Sequence, residues 1–262
     1  MVEPLVKMKE FQKRKGPVVL VIMDGVGYGK YTEGDGVLDA RTENLDELHA
    51  SCPHTKLKAH GTAVGLPSDG DMGNSEVGHN AIGCGRVFAQ GAKRVNKAIE
   101  NGEIFEGDVW KKLVENVKKS GGKLHFIGLF SDGNVHSHID HLKAMLEKAI
   151  EEGVSTARIH TLLDGRDVGE TSALEYIEPF EDYLQKLNEA GVDYRIASGG
   201  GRMVITMDRY GANWDMVKKG WETHVKGEGR TFPSAKEAIE TLRNETEAID
   251  QDLPPFVIAE EG

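Results

Sequence analysis

The longest apolar run in the chain, Val18-Val19-Leu20-Val21-Ile22-Met23, has no polar alternation and stops at Asp24-Gly25. Such a run predicts a strand covered on both faces, as in a parallel sheet. Two glycine-rich stretches follow, Gly25 to Asp39 and Gly61 to Gly91. A domain boundary is placed near the end of the second, giving residues 1–88 and 89–262. Beyond it the pattern turns regular. Leu124 to Phe130 predicts a strand, and Leu142, Met145, Leu146, Ala149 and Ile150 then recur at helical spacing up to a stop at Gly153. Ala157 to Leu163 is the next strand. Leu174, Ile177, Leu184 and Leu187 mark a helix ended by Gly191, and Tyr194 to Ala197 is a third strand. Helical stretches near Trp214–Trp221 and Ala235–Ile249 complete the pattern. Strands alternating with helices predict an α/β fold of parallel βαβ units with right-handed crossovers.

Unusual polar residues fall where these strands end. Asp24 follows the first run, Ser131-Asp132-Gly133-Asn134-Val135-His136 the strand at Leu124, Asp164-Gly165-Arg166-Asp167 the strand at Ala157, and Ser198-Gly199-Gly200-Gly201-Arg202 the strand at Tyr194. Ligands of open α/β sheets bind outside the carboxyl ends of the strands. Three successive loops would therefore bring His136, Arg166, Asp167 and Arg202 to one crevice. Arginine's planar fork matches phosphate and carboxylate oxygens, so the crevice suits a small phosphorylated molecule. Singly, each Asp-Gly reads equally well as a turn, Gly199–Gly201 as a flexible connection, and His136, His138 and His141 as histidines without a metal.

Within Asp69-Gly70-Asp71-Met72-Gly73-Asn74-Ser75-Glu76-Val77-Gly78-His79-Asn80, Ser75 stands between a glycine-rich approach and a helix start. It reads either as an N-cap or as a hydroxyl placed where free N–H groups stabilise a phosphoryl group. Gly78 rules out a capping box. A serine hydroxyl needs activation to act as a nucleophile, and a divalent metal held by an acidic residue such as Asp24 would supply it.

Composition narrows the choice. The 262 residues allow two domains, and 39% hydrophobic with 29% charged residues describe an ordinary globular surface and core. A formal net charge of −11 excludes a nucleic-acid partner, which needs a concentrated positive field, but not a small anion bound by a few arginines. The two cysteines, Cys52 and Cys84, are too few for a disulfide framework, and no run is long enough to span a membrane. Met1 to Arg14 carries scattered charges and no apolar core of a leader, so a cytoplasmic protein is expected.

Five co-linear motifs then resemble one family. Val21-Ile22-Met23-Asp24-Gly25, Met72-Gly73-Asn74-Ser75-Glu76-Val77-Gly78-His79, Ser131 through His138, Asp164-Gly165-Arg166-Asp167-Val168 and Met207-Asp208-Arg209 resemble the cofactor-independent phosphoglycerate mutases, in the family's order and spacing. The resemblance implies an alkaline-phosphatase-like parallel-sheet domain, partial here, with an inserted α/β domain that binds the substrate. It implies interconversion of 3- and 2-phosphoglycerate in glycolysis and gluconeogenesis through a phosphoserine on Ser75. Two divalent metal ions are implied, manganese first, with magnesium or cobalt as alternatives, and no 2,3-bisphosphoglycerate requirement. Asp24 and Ser75 would be metal ligands, and His136, Arg166, Asp167, Arg202 and Arg209 would bind substrate. Asn134 replaces the family's usual glycine, and asparagine tolerates positive φ. Family members are about twice as long. The remaining metal ligands, a further arginine pair and a lysine would therefore come from a missing carboxyl-terminal half, the complete enzyme acting as a monomer and this chain alone being inactive. A metal-dependent phosphatase of the same superfamily and a non-catalytic phosphoglycerate-binding fragment are the competing readings.

Overall fold

The computed structural model describes residues 4, 6–12, 14–206, 211 and 213–259. The chain divides into two compact units, Met1–Leu57 and Lys58–Gly262.

The first unit contains two helices, α1 (Gly36–Asp39) and α2 (Glu43–Ser51). Asp35 starts α1, its Oδ1 accepting from the amides of Val37 at 3.0 Å and Leu38 at 3.3 Å. The strand expected at Val18–Met23 does not form. The run pairs with no strand among the described residues, and all six apolar side chains are exposed. A strand exists only through its neighbours' N–H and C=O groups, so apolar character alone cannot make one.

The second unit opens with a 3₁₀ turn, Gly61–Val64, and helix α3 (Ser75–Cys84). Three helices that the periodicity left unassigned follow: α4 (Ala92–Glu100), α5 (Glu103–Glu106) and α6 (Asp108–Ser120). Then come β1 (Leu124–Leu129), α7 (Ile139–Glu151), β2 (Thr156–Leu163), α8 (Ala173–Asn188) and β3 (Asp193–Gly201), all close to expectation. The remainder is α9 (Arg202–Ile205), α10 (Trp214–Trp221), a π-helical turn Glu222–Lys226, β4 (Arg230–Phe232), α11 (Ala235–Thr246), a 3₁₀ turn Asp250–Asp252 and β5 (Phe256–Ile258).

The sheet runs β1-β2-β3-β5-β4. Its first three strands are parallel as expected, whereas β5 lies antiparallel to β3 and β4 parallel to β5. Apolar residues from the central strands and flanking helices make one core, including Ile159, Tyr194, Leu146, Phe180, Ile239 and Phe256, each essentially without solvent exposure. β2 is buried along almost its whole length, its polar members Arg158, His160 and Thr161 included, as a central strand covered on both faces requires.

One boundary needs correction. The sequence places Ser198–Gly201 in a loop, but β3 continues through them. β2 pairs with all four, His160 to Leu163 lying opposite Ser198 to Gly201, and β5 adds Phe256 opposite Gly199. A Cβ on Gly199 would lie 2.4 Å from both Phe256 Cζ and Thr161 Oγ1, so the glycines serve close packing inside the sheet rather than flexibility.

Candidate functional site

The segment before Ser75 is a tight scaffold. Ser68 donates from both its amide, at 2.6 Å, and its hydroxyl, at 2.7 Å, to Asp71 Oδ2. Thr62 donates from amide and hydroxyl to Asp69 Oδ1. Val64, Leu66 and Val77 form a small core of their own, and the Gln90 amide bridges the carbonyls of Val64 and Val77 at 2.8 and 3.0 Å. This scaffold delivers the chain into α3. The capping residue there is Asn74, whose side-chain oxygen accepts from the Val77 amide at 2.9 Å. Ser75 is the first helical residue, exposed, and its hydroxyl makes no hydrogen bond among the described residues. The N-cap reading therefore passes to the neighbour. Ser75 Oγ stays free beside first-turn amides that have no intrahelical acceptor.

At the carboxyl ends of β1, β2 and β3 the polar side chains meet as the sequence predicts. Arg202 is buried at the start of α9, its Nη1 donating to Asp164 Oδ1 at 2.8 Å and Asp167 Oδ2 at 2.7 Å. Ser131, just beyond β1, donates to Asp164 Oδ2 at 2.5 Å and accepts from the Gly133 amide at 3.2 Å. The amides of Arg166 and Asp167 also donate to Asp164 Oδ1, at 3.2 and 3.0 Å. Burial alone would push the Asp164 pKa up. These donors, the Asp167 amide first and then Ser131 and Arg202, outweigh it and hold the carboxyl below its ordinary value. His136 lies beside this cluster, with Nε2 3.9 Å from Asp167 Oδ2. Asn134 adopts the left-handed backbone expected of it, with φ of 59°.

Two of these regions share one groove of about 500 Å³. Its walls include Ser75, Asn80, Asn134, His136 and His141. The loops are joined across it, Asn134 Nδ2 donating to Asp71 Oδ1. His141 Nε2 contacts Asn96 Oδ1 at 2.5 Å, and burial, aided by His138, pushes its pKa down. His138 instead caps α7, accepting from the Asp140 amide at 3.1 Å. The three histidines thus have three different neighbours.

Arg166 is exposed and its guanidinium has no partner among the described residues. Asp24 lies in an exposed turn of the first unit. Arg209 lies outside the described residues. Sequence reasoning passed over Asp71, Ser131 and Asp164 as mere parts of motifs, because their partners lie 63, 33 and 38 positions away. The available signal was position: Ser131 and Asp164 are the polar residues closest to the ends of β1 and β2.

Comparison with known proteins identifies the family. The family model described as the BPG-independent PGAM N-terminus matches residues 95–262. A Leptospira interrogans protein named probable 2,3-bisphosphoglycerate-independent phosphoglycerate mutase is 56% identical over 257 residues, covering 97% of this chain and 47% of that protein. The Zea mays 2,3-bisphosphoglycerate-independent phosphoglycerate mutase is 49% identical, covering 94% of this chain and 44% of its own length. The fold is similar to the crystal structure of Leishmania mexicana phosphoglycerate mutase at low cobalt concentration, with a TM-score of 0.83 and 47% identity over 92% of this chain and 44% of that one. The chain thus spans just under half the length of the relatives it matches. With this identity along nearly its whole length, the chain belongs to the 2,3-bisphosphoglycerate-independent phosphoglycerate mutase family.

Proposed function

We propose that this chain supplies the phosphoryl-accepting serine and the glycerate-holding crevice of an isomerase that interconverts 3-phosphoglycerate and 2-phosphoglycerate. One observation carries the reading: Ser75 Oγ is uncommitted, at the first position of α3, on the groove that also holds His136. A phosphoryl group arriving there meets the positive end of a helix and unpaired amides.

In the first half-reaction Ser75 Oγ bonds to phosphorus, the bond to the glycerate 3-oxygen breaks, and that oxygen takes up the proton released from the serine. The glycerate then turns within the crevice. In the second half-reaction its 2-oxygen bonds to phosphorus, the serine–phosphorus bond breaks, and the proton released from the 2-hydroxyl passes to Ser75 Oγ, which regains the serine. His136, Arg166, Asp167, Arg202 and Arg209 are the residues proposed to bind and orient the glycerate. Arg166, whose guanidinium has no partner among the described residues, is suited to a direct contact with carboxylate or phosphate. Arg202 is already committed to Asp164 and Asp167, so its contribution is to hold Asp167 towards His136. Retention of the glycerate between steps separates a mutase from a phosphatase, because the second transfer is then intramolecular.

Asp24 and Ser75 are proposed as ligands for divalent ions, manganese first and magnesium or cobalt as alternatives. Both offer hard oxygen donors, and the Ser75 lone pairs are uncommitted. Bound there, such an ion would lower the pKa of the serine hydroxyl. Among the described residues no group of three His, Cys, Asp or Glu side chains could hold a metal. Further ligands would come from the carboxyl-terminal half that the relatives' lengths imply. Residues 1–88 are assigned to a partial alkaline-phosphatase-like domain and 89–262 to the inserted domain, a division supported by the family match beginning at residue 95. Two unpaired cysteines, Cys52 and Cys84, support a cytoplasmic setting, and no described helix is long and apolar enough to cross a membrane.

In the full-length protein, Ser75→Ala is expected to abolish conversion of 3-phosphoglycerate, and turnover at the wild-type rate by that variant would overturn the reading. Calorimetric titration of the 262-residue chain with 3-phosphoglycerate, with and without manganese, separates ligand binding from catalysis.

A further inference from the structure

The loop from Ser131 to His136 is anchored on one side and tied across the groove on the other. On the inner side, Ser131 hydrogen-bonds Asp164, and Gly133 packs so closely on Asp167 that a Cβ there would lie 3.0 Å from Asp167 Cβ. On the outer side, Asn134 reaches over the groove to Asp71. Asp71 is itself fixed. Its other oxygen takes two hydrogen bonds from Ser68, and its backbone carbonyl accepts from the Gly61 amide at 3.1 Å. Burial raises the Asp71 pKa, but the Ser68 and Asn134 hydrogen bonds outweigh it and hold the carboxyl below its ordinary value. The carboxylate is therefore the form that the site selects, and it is the form that accepts most strongly from an amide. Asn134 Oδ1 is buried and has no partner among the described residues, where the bond through Nδ2 is the one that orients that side chain. A path of hydrogen bonds and close packing thus runs from Arg202 through Asp164, Ser131 and Asn134 to Asp71, four residues before Ser75.

We propose that Asp71 and Asn134 are positioning residues: their hydrogen bond holds the Ser75 loop against the His136 loop and sets the separation across which the phosphoryl group is transferred. Neither side chain needs to touch the reacting atoms. A group transfer depends steeply on the approach of acceptor to donor, so a loop shift of about an ångström costs rate even when ligand binding survives. The pair is thus expected to act on kcat more than on KM.

The inference rests on the mutase reading, and its test separates the two. Asn134→Gly removes the side chain while keeping the left-handed backbone, which glycine adopts freely. Glycine is the family's usual residue here, so the rest of the site accommodates it, and in the full-length protein this variant is expected to lower kcat for 3-phosphoglycerate about threefold with KM within about twofold. Adding Asp71→Asn should cost little more, since both changes break one link. Hydrogen exchange at the amides of residues 68–76 should accelerate several-fold in Asn134→Gly and stay unchanged in the remote surface variant Lys111→Ala. Wild-type kcat in Asn134→Gly, or losses that multiply in the double variant, would overturn the proposal. Unchanged exchange at 68–76 would overturn it too. If the wild-type protein turns over no 3-phosphoglycerate, the mutase reading fails, and the exchange measurement alone decides whether the tie exists.

Discussion

Arg202 and Asp167 are joined by a 2.7 Å hydrogen bond from the same Nη1 that also holds Asp164. The arrangement makes Arg202 internal architecture as much as ligand. Its side chain is 2% exposed, whereas Arg166, from the neighbouring loop, is exposed and has no side-chain partner among the described residues. Two arginines that look equivalent in the sequence thus divide the work. One braces the strand-end loops, and the other makes no side-chain contact of that kind among the described residues.

Replacing Arg202 by Met should therefore be a stability lesion first. It would leave two carboxylates facing each other, with Asp164 fully buried, and removal of one partner from such a cluster costs about 3–5 kcal/mol. Arg166→Met should change stability by less than about 0.5 kcal/mol and act on ligand affinity instead. Urea denaturation of both variants checks the contrast, and equal losses would contradict it.

Asn74 and Ser75 offer a second contrast. Asn74→Ala removes the bond to the Val77 amide and should cost about 1 kcal/mol. Ser75→Ala removes a hydroxyl with no partner among the described residues and should leave the midpoint of denaturation almost unchanged, although turnover in the full-length protein is lost. A Ser75→Ala chain destabilised as much as Asn74→Ala would return the serine to a capping role.

Elements with a strong period were legible. The recurrence of Leu142, Leu146 and Ala149 at helical spacing marks α7, and the short stretch from Ala157 to Leu163 before Asp164 marks β2. Val18–Met23 shows the limit, since its apolar pattern says what would cover a strand but not whether a neighbour is at hand. β4 and β5, three residues each, are too short to carry a period. At the site, the strand-end positions pointed to the contacts of Asp167 with Arg202 and His136, whereas the Arg166 guanidinium joins neither among the described residues. The Asp71–Asn134 contact was not legible, because nothing in either loop encodes a partner 63 positions distant.

The reassigned glycines give a third prediction. Gly199→Ala should destabilise the second unit by roughly 1–3 kcal/mol, since the new methyl meets Phe256 and Thr161 inside the sheet. Gly191→Ala, where a Cβ meets nothing within 4 Å but φ is 88°, carries only the backbone cost. Thermal melts that show Gly199→Ala to be neutral would restore the loop reading of Ser198–Gly201.

A partly buried hydrogen-bonded chain on the sheet predicts how stability responds to acid. His125 Nδ1 contacts His160 Nε2 at 3.0 Å, His160 Nδ1 contacts Ser198 Oγ at 2.7 Å, and Ser198 Oγ contacts His224 Nδ1 at 2.8 Å. Burial, and then the neighbouring His224 and His125, push His160 down to about 4 from an ordinary 6.5. Between those values the unfolded chain binds the proton and the folded chain refuses it. The unfolded state therefore gains as pH falls through that window, by roughly 3 kcal/mol at most from this group, with no further change below about 4. His160→Gln, which cannot take up the proton, should lose correspondingly less stability than the wild type between pH 7 and pH 4.5. Parallel urea titrations at those two pH values measure the difference, and identical losses in the two proteins would show that His160 stays as easily protonated in the fold as outside it.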